Sequence, residues 1–484
     1  MDSWLHKIFE IRRFSYSNYS FMKKYTLSFL LILINSSIFS QQSIQWQKCL
    51  GGTNAEIARS IQQTLDGGYI VSGYTASNNG DVSGNHGATD FWVVKLDAKG
   101  NLQWQKCLGG TNFDDATSIQ QTLDGGYIVS GYTNSNNGDV SGNHGSTDFW
   151  VVKLDTIGNL QWQKCLGGTN SDEATSIKQT SNGGFIIAGQ TISNDGDVSG
   201  NHGGSDFWFI KLNSLGVIQW QKCLGGTHSD NARSTQQTSD GGFIVVGATF
   251  SNDGDVSGHH GNWDFWVVKL DTTGNLQWQK CLGGTDADNA TSIQQTTDGG
   301  YIVSGYTASN DGDVSGNQGN HDFWELKLDA IGNLQWQKCL GGTDADYAYS
   351  IQQTLDGGYI LSGYTPSNNG DVTGNHGGVD TWVVKLSSIS TGMYDDHSIN
   401  QRATVYPNPA SDNLVIDCGT NYTGLNGYSI RITNLLGQTV YNSPVTAQIT
   451  NIQLSPPTWV NGTYVVQFVH PNGTVVDTKR IIIQ

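Results

Sequence analysis

The sequence predicts an all-β protein: a six-bladed β-propeller built from six 58-residue repeats, followed by a small Ig-like β-sandwich. Three observations carry that prediction. The segment QWQKCLGGT around Trp46 returns at Trp104, Trp162, Trp220, Trp278 and Trp336, each time 58 residues later and without insertion or deletion. Each copy holds four short stretches rich in Val, Ile, Tyr, Trp and Thr, separated by Gly, Asn and Asp clusters, with no sustained helical period. The array also begins and ends on unmatched strands that complement each other.

In the first repeat the strands are expected at the Trp46 segment, Arg59 to Thr64, Gly68 to Thr75 and Phe91 to Asp97. Asp97 to Asn101 has hairpin chemistry and joins the last of these to the next QWQKCL segment. Pairing the orphan Trp46 strand with the orphan at Trp382 to Leu386 would close a ring and leave few exposed edges. An open solenoid is the competing arrangement; it normally needs polar caps, and none stands out in the sequence. Trp46, Trp92 and their equivalents are expected to pack between neighbouring blades. Gly67 and Gly68 are expected to permit a turn at positive φ.

The chain has 484 residues, 62 glycines, 7 prolines and 15 tryptophans, which excludes collagen and proline-rich disorder and allows a sizeable core. Its 25 basic residues against 42 acidic ones give a formal charge of −17. That balance argues against a nucleic-acid partner or an anionic membrane surface and suits divalent cations or basic partners. Met22, Lys23 and Lys24 precede an apolar run from Leu27 to Phe39 and then Ser40, the pattern of a secretory signal peptide. Residues 1–41 are therefore read as a start extension plus signal, with the true start at Met22 and the propeller at 42–388. No second apolar stretch approaches the roughly 18 residues of a membrane span, so no span is expected in the mature chain. Cys49, Cys107, Cys165, Cys223, Cys281 and Cys339 occupy one repeat position, too far apart for bridging, and Cys418 stands alone; buried thiols are expected.

A polar loop before the FWVVKL strand offers the candidate metal site, clearest as DGDVSGHHGNWD. Asp253, Asp255 and Ser257 fall at positions 1, 3 and 5 of a calcium-loop frame, Gly258 at 6 and Asp264 at 12. The same frame gives Asp195, Asp197, Ser199 and Asp206, and again Asp311, Asp313, Ser315 and Asp322. In the other copies position 1 is Asn79, Asn137 or Asn369. The loop resembles EF-hand-like and dockerin-like loops, but position 12 is Asp rather than Glu and no helices flank it. Weak calcium binding is one reading; an Asx-type turn closed on its own backbone is the other. His86, His144, His202, His260 and His376, with Gln318 in the fifth copy, are read as turn residues rather than metal ligands. No other cofactor is indicated.

Catalysis needs carboxylates in different environments, whereas these recur in nearly identical copies, and no GxSxG, HExxH or Cys/His pair is present. A non-enzymatic protein follows. The copies differ mainly at Asn54 to Ala58 and just before the loop's last Asp, where the fourth and fifth copies carry Trp263 and His321. A rigid array varying at its loops reads as a recognition scaffold, with Trp263 and His321 as candidate contacts for carbohydrate or protein. A polysaccharide hydrolase or lyase with an axial site, and a structural surface-layer protein, are the alternatives.

Beyond a Ser-rich linker at 389–403, Val415, Ile430, Val440, Ile452, Val465 and Ile481 mark short strands of the sandwich, 404–484. Tyr406-Pro407-Asn408-Pro409-Ala410, Asn434-Leu435-Leu436-Gly437-Gln438, Asn461-Gly462-Thr463-Tyr464, and Lys479 before the closing strand resemble the C-terminal sorting domain of Bacteroidetes type IX secretion. The resemblance implies that Pro407, Asn408, Pro409, Gly437, Gly462, Tyr464 and Lys479 belong to the sorting signal. It further implies that the translocon is a partner, and that the chain is secreted or attached at the outer-membrane surface.

Overall fold

Alternating apolar residues, stiff at χ1, make each repeat a pleated antiparallel meander rather than a helix. The computed structural model describes residues 45–387, 404–418, 427–434, 438–455, 459–469 and 475–484. In the first repeat the strands are Glu56–Gln63, Tyr69–Thr75, Asp90–Leu96 and Leu102–Leu108, paired in that order. The next four repeats repeat this four-stranded sheet, and the sixth forms a three-stranded sheet from Tyr347–Gln353, Tyr359–Thr365 and Asp380–Leu386. The signal segment, the linker and Gly437 lie outside the described residues. Among the described residues no helix is long and apolar enough to cross a membrane.

Consecutive sheets pack face to face with their first strands side by side, as in propeller blades. Aromatic stacking sets the spacing. Phe91, Phe149, Phe207, Phe265 and Phe323 lie against Trp150, Trp208, Trp266, Trp324 and Trp382 of the following sheet, with ring centroids 4.5–4.7 Å apart. The expected inter-blade tryptophan packing is thus found at every internal junction. Cys107, Cys165, Cys223, Cys281 and Cys339 are buried and free, as expected of this repeat position, while Cys49 is exposed.

Closure of the ring is not seen among the described residues. Residues 45–50 form no strand, the sixth sheet holds three strands, and among the described residues no comparable packing joins the sixth sheet to the first. A physical reason lies in the sixth repeat itself. Thr381 stands where the other copies carry the stacking Phe, a polar cap that the sequence reading overlooked. The glycine expectation is half corrected: Gly67 sits at φ +80°, but Gly68 is required because a Cβ there would collide with the Leu96 carbonyl oxygen.

Residues 404–484 form two sheets. Thr404–Tyr406, Asn413–Asp417 and Ile449–Gln453 make one; Thr439–Pro444, Ser429–Asn434, Gly462–Val469 and Val475–Ile483 make the other. Leu414, Ile416, Ile430, Ile432, Val466, Phe468 and Ile481 share the buried core between them.

Candidate functional site

Two loops of each repeat reach the same end of their sheet: the GGT turn after the fourth strand and the Asp-rich loop before the third. Gly80 at φ +69° and Gly84 at φ +92° let that Asp-rich loop bend twice within five residues. Its side chains then find partners in the GGT turn. The position-1 side chain accepts the Thr backbone N–H in all six copies, from Thr53 onto Asn79 at 2.9 Å to Thr169 onto Asp195 and Thr227 onto Asp253 at 2.8 Å. Asn and Asp alternate there because each supplies the same acceptor. Those hydrogen bonds also hold the Asp195 and Asp253 carboxyls below the usual range.

The remaining frame positions serve other partners. Position 3, Asp197, Asp255 or Asp313, receives the backbone N–H of Gly167, Gly225 or Gly283 at 3.3–3.4 Å. Position 5, Ser199, Ser257 or Ser315, receives the amide of Gln221, Gln279 or Gln337 at 2.5–2.6 Å, and that glutamine accepts from Trp208, Trp266 or Trp324 at 2.9–3.0 Å. Position 12, Asp206 or Asp264, is buried and takes both the backbone N–H and Nδ1 of His202 or His260. Asp322 takes the backbone N–H of Gln318. The four oxygens of each candidate calcium loop therefore point to four different tasks. Among the described residues no group of three or more His, Cys, Asp or Glu side chains is placed to hold a metal.

Burial pushes Asp206 and Asp322 up to about 6, each also raised by the neighbouring Asp230 or Asp346. Burial likewise raises Asp264 against its His260 hydrogen bonds. Their Oδ1 atoms are buried without a hydrogen-bond partner. The histidines link adjacent repeats: Nε2 of His86, His202 and His260 lies 3.9 Å from Asp139, Asp255 and Asp313 of the next loop. Gln318 keeps that link, donating from Nε2 to Asp371 at 2.7 Å, so the exchange of His for Gln preserves the contact.

The two variable segments of the sequence meet at each junction. Residues Thr89, Thr147, Ser205, Trp263 and His321 offer their carbonyls to the N–H of Asp114, Asp172, Asp230, Asp288 and Asp346 in the next repeat. Trp263 lies 5.6 Å from Phe250, whose ring also meets His228 at 5.7 Å and His259 at 6.2 Å. His321 stacks on Tyr347 at 5.1 Å, beside Tyr306, and Tyr364 links Tyr347 to the exposed Tyr349. Burial lowers the His321 imidazole, which favours the neutral ring. The structure thus places Trp263 and His321 in two separate aromatic groups at consecutive junctions. At the first junction a polar group replaces them: Arg59 pairs with Asp115 at 3.1 Å, lies over Tyr74, and Asp115 also accepts from Tyr132. Sequence reasoning missed Arg59, Tyr349 and the Tyr74 position; comparing copies there, where Tyr, Gln and Ala alternate, would have found them.

In the C-terminal domain Asn408 holds the last strand, donating to the Arg480 carbonyl at 3.1 Å and accepting from Ile482 N–H at 2.9 Å. Pro407 and Pro409 flank it in cis peptide bonds. Tyr464 is buried, and its hydroxyl donates to the Val460 carbonyl at 2.8 Å. Gly462 opens the strand that carries it, and Lys479 lies opposite Val466.

Comparison with known proteins separates the two parts of the chain. The regulatory protein FlaEY of Caulobacter vibrioides is 27% identical over 172 residues, 33% of this chain and 17% of that protein, so the chain spans well under two thirds of that relative. Among solved structures, PorZ, a surface component of the type-IX secretion system of Porphyromonas gingivalis, has a TM-score of 0.31 at 11% identity, covering 91% of this chain and 61% of PorZ. The extracellular domain of the putative one component system BT4673 of B. thetaiotaomicron has a TM-score of 0.33 at 12% identity, over 90% of this chain and 56% of that one. The Neurospora crassa Pan2 WD40 domain has a TM-score of 0.35 at 12% identity, over 63% and 85%. Residues 404–484 match the secretion system C-terminal sorting domain. With Asn408 and Tyr464 fixing its last strands, this segment is a type IX secretion sorting domain, and the chain it ends is exported to the cell surface or beyond.

Proposed function

We propose that the exported repeat array is a non-catalytic binding or adhesion protein whose ligand contacts lie along the loop rim of its fourth to sixth repeats. One observation carries the reading: two segments that vary between otherwise near-identical repeats are brought together at every junction. Half-buried aromatic rings beside amides and hydroxyls suit the faces of sugar rings or apolar side chains of a protein. The candidate acids Asp206 and Asp264 sit in equivalent surroundings, each buried against a loop histidine, which does not favour division into acid and base. Passage into the export route through the Lys23 to Phe39 segment is part of the same reading.

The test is a panel of soluble and immobilised polysaccharides and extracellular matrix proteins presented to the full chain. Trp263→Ala and Tyr349→Ala should lose binding with an unchanged melting profile. Binding indifferent to both substitutions would remove the rim from the account. Release of reducing ends from any polysaccharide would favour the hydrolase or lyase alternative.

A further inference from the structure

Neighbouring first strands of the array are joined by side chains that reach across to backbone N–H groups of the adjacent repeat. A serine hydroxyl accepts from the N–H 59 residues further on, as Ser60 does from Ile119, and this bond is made at all five junctions. A glutamine Oε1 accepts from a turn N–H of the preceding repeat, as Gln121 does from Leu65, again at all five. A third bond runs from the N–H of Gln121, Gln179, Gln295 or Gln353 to Oε1 of Gln62, Gln120, Gln236 or Gln294, and it is made at four junctions. The exception is the junction of the third and fourth repeats, where Lys178 stands in the glutamine's place.

A lysine ammonium has donors only, so the Gln237 N–H loses the acceptor that its equivalents keep. The Lys178 ammonium itself meets no hydrogen-bond or ion-pair partner among the described residues. It is half-buried, and burial alone lowers its pKa, with no carboxylate contributing. Asp240, on the turn that follows Gln237, is held by Lys269 at 2.9 Å. A second amine shares this face of the third sheet, because Lys178 and Lys211 both pair across to Ile186, and Ile186 packs against Phe243 and Val245 of the fourth sheet. Strand spacing puts the two lysine backbones about 10 Å apart. In the other repeats the lysine equivalent to Lys211 meets an aspartate; Asn182 leaves Lys211 with the Leu212 carbonyl and no carboxylate. A chain of formal charge −17 thus turns two amines without a carboxylate toward one junction. An unpaired cation partly withdrawn from water is costly, and a bound anion removes that cost.

We propose that Lys178 and the Gln237 N–H form an anion site that takes a carboxylate group at the junction of the third and fourth repeats. One carboxylate oxygen accepts from the Gln237 N–H, in the place that a glutamine Oε1 fills at the other junctions, and the second pairs with the Lys178 ammonium. A carboxylate reproduces the planar oxygen of the missing amide and adds the charge that the ammonium requires. The site lies at the end of the first strand away from the Asp-rich loops: Lys178 is next to last in Asp172–Gln179, whose Asp172 end pairs with Thr191 beside those loops. It is separate from the aromatic groups of the rim, and neither proposal rests on the other. The carboxylate of a sugar acid and that of an acidic amino acid present the same chemistry to it.

Melting the full chain in sodium acetate, sodium galacturonate or sodium N-acetylglutamate, each against sodium chloride at equal ionic strength, tests the proposal. Lys178→Gln restores the residue of the other junctions and removes the amine, so the fold is kept. Without carboxylate this variant should melt about 2 °C above the unsubstituted chain, the effect of one regained hydrogen bond. At least one carboxylate should raise the melting temperature of the unsubstituted chain above its value in chloride and leave Lys178→Gln unmoved. A larger rise in galacturonate assigns a sugar acid, and a larger rise in N-acetylglutamate an acidic amino acid. Equal rises in both proteins, no rise with any of the three, or a Lys178→Gln chain that melts below the unsubstituted one would each overturn the proposal. Acetylation by acetic anhydride, mapped by peptide mass, reads the site without reference to stability. The carboxylate that raises the melting temperature should slow modification of Lys178 and leave the exposed Lys99 unchanged, and an unchanged rate at Lys178 would overturn the proposal as well.

Discussion

The internal sheets and the sixth sheet carry nearly the same residues and differ in what covers them. Val151 and Val267 are fully buried and Val383 is 58% exposed; Trp266 is fully buried and Trp382 only half so. Burial in this array is conferred by the next sheet and by the fourth strand rather than by a strand's own sequence, as expected of a molecule whose units contact only their neighbours. The largest test of that contrast is Phe265→Ala, which opens the junction with Trp324. It should cost about 3–5 kcal/mol locally. Val383→Ala should stay within about 0.5 kcal/mol at low protein concentration. Amide hydrogen exchange sheet by sheet reads both, and equal losses would break the contrast.

A second test uses the internal third strand that places a carboxylate where the others carry an apolar residue. Glu325 replaces the Val found at 93, 151 and 267, is completely buried, and has Oε2 without a partner while Ser304 donates to Oε1 at 3.0 Å. Burial raises its carboxyl well above the usual value, with the Ser304 bond only partly offsetting this. A raised folded value means the stability contribution is full below the unfolded value near 4.5 and is lost as pH rises through the folded one. Glu325→Val should therefore stabilise the fifth sheet by about 1–3 kcal/mol at neutral pH and abolish the fall in stability between acid and neutral pH. Urea unfolding at several pH values checks both parts.

The third repeat supplies a smaller test. In the first, second, fourth and fifth repeats a buried lysine meets an exposed aspartate, as Lys95 meets Asp66 at 2.9 Å. Although partial burial pushes Asp66 up, hydrogen bonds from Thr64 and Lys95 outweigh it and bring the carboxyl down to about 2. Lys211 has Asn182 in that place, keeps the Leu212 carbonyl at 2.8 Å, and is pulled down by burial to about 8. A lowered folded value for a base means stability gained as pH rises from about 8 toward 10.5. Asn182→Asp should add about 0.5–1 kcal/mol at neutral pH, limited by screening of the exposed carboxylate, and should flatten that rise. Denaturation at neutral and alkaline pH would show it.

Local pattern carried most of the array. Period-two alternation, the 58-residue spacing and the Asp97 to Asn101 turn give the strands and their order, and the four motifs of residues 404–484 give the sorting domain. Ring closure was not legible, because complementarity of the Trp46 and Trp382 segments says that they fit and not that they pair. The rim was half legible. Comparing copies found both variable segments, but their meeting depends on a contact from Thr89 to Asp114 across two sheets. Trp263 and His321 were found as large side chains in small-residue positions; Arg59 was hidden because the bulge at Ala58/Ser60 that exposes it has no sequence signature of its own.

The smallest effect concerns the loops whose spacing suggested calcium. Alternation of oxygens at positions 1, 3, 5 and 12 is a statement about sequence distance, whereas a cation needs the oxygens to converge. Here Thr169 N–H fixes Asp195, Gly167 N–H reaches Asp197, Gln221 takes Ser199, and His202 takes Asp206. A cation would have to displace these bonds, and the freed donors would need new partners. The differential affinity left for calcium is small, and a ligand shifts stability only through such a difference. Melting the full chain in calcium and then in chelator should give superimposable curves. A clear calcium-dependent rise would show that the loops rearrange around the ion. It would do so most in the sixth copy, where among the described residues no glutamine holds Thr373, and least in the first five, where a fourth-strand glutamine must be displaced from the loop serine.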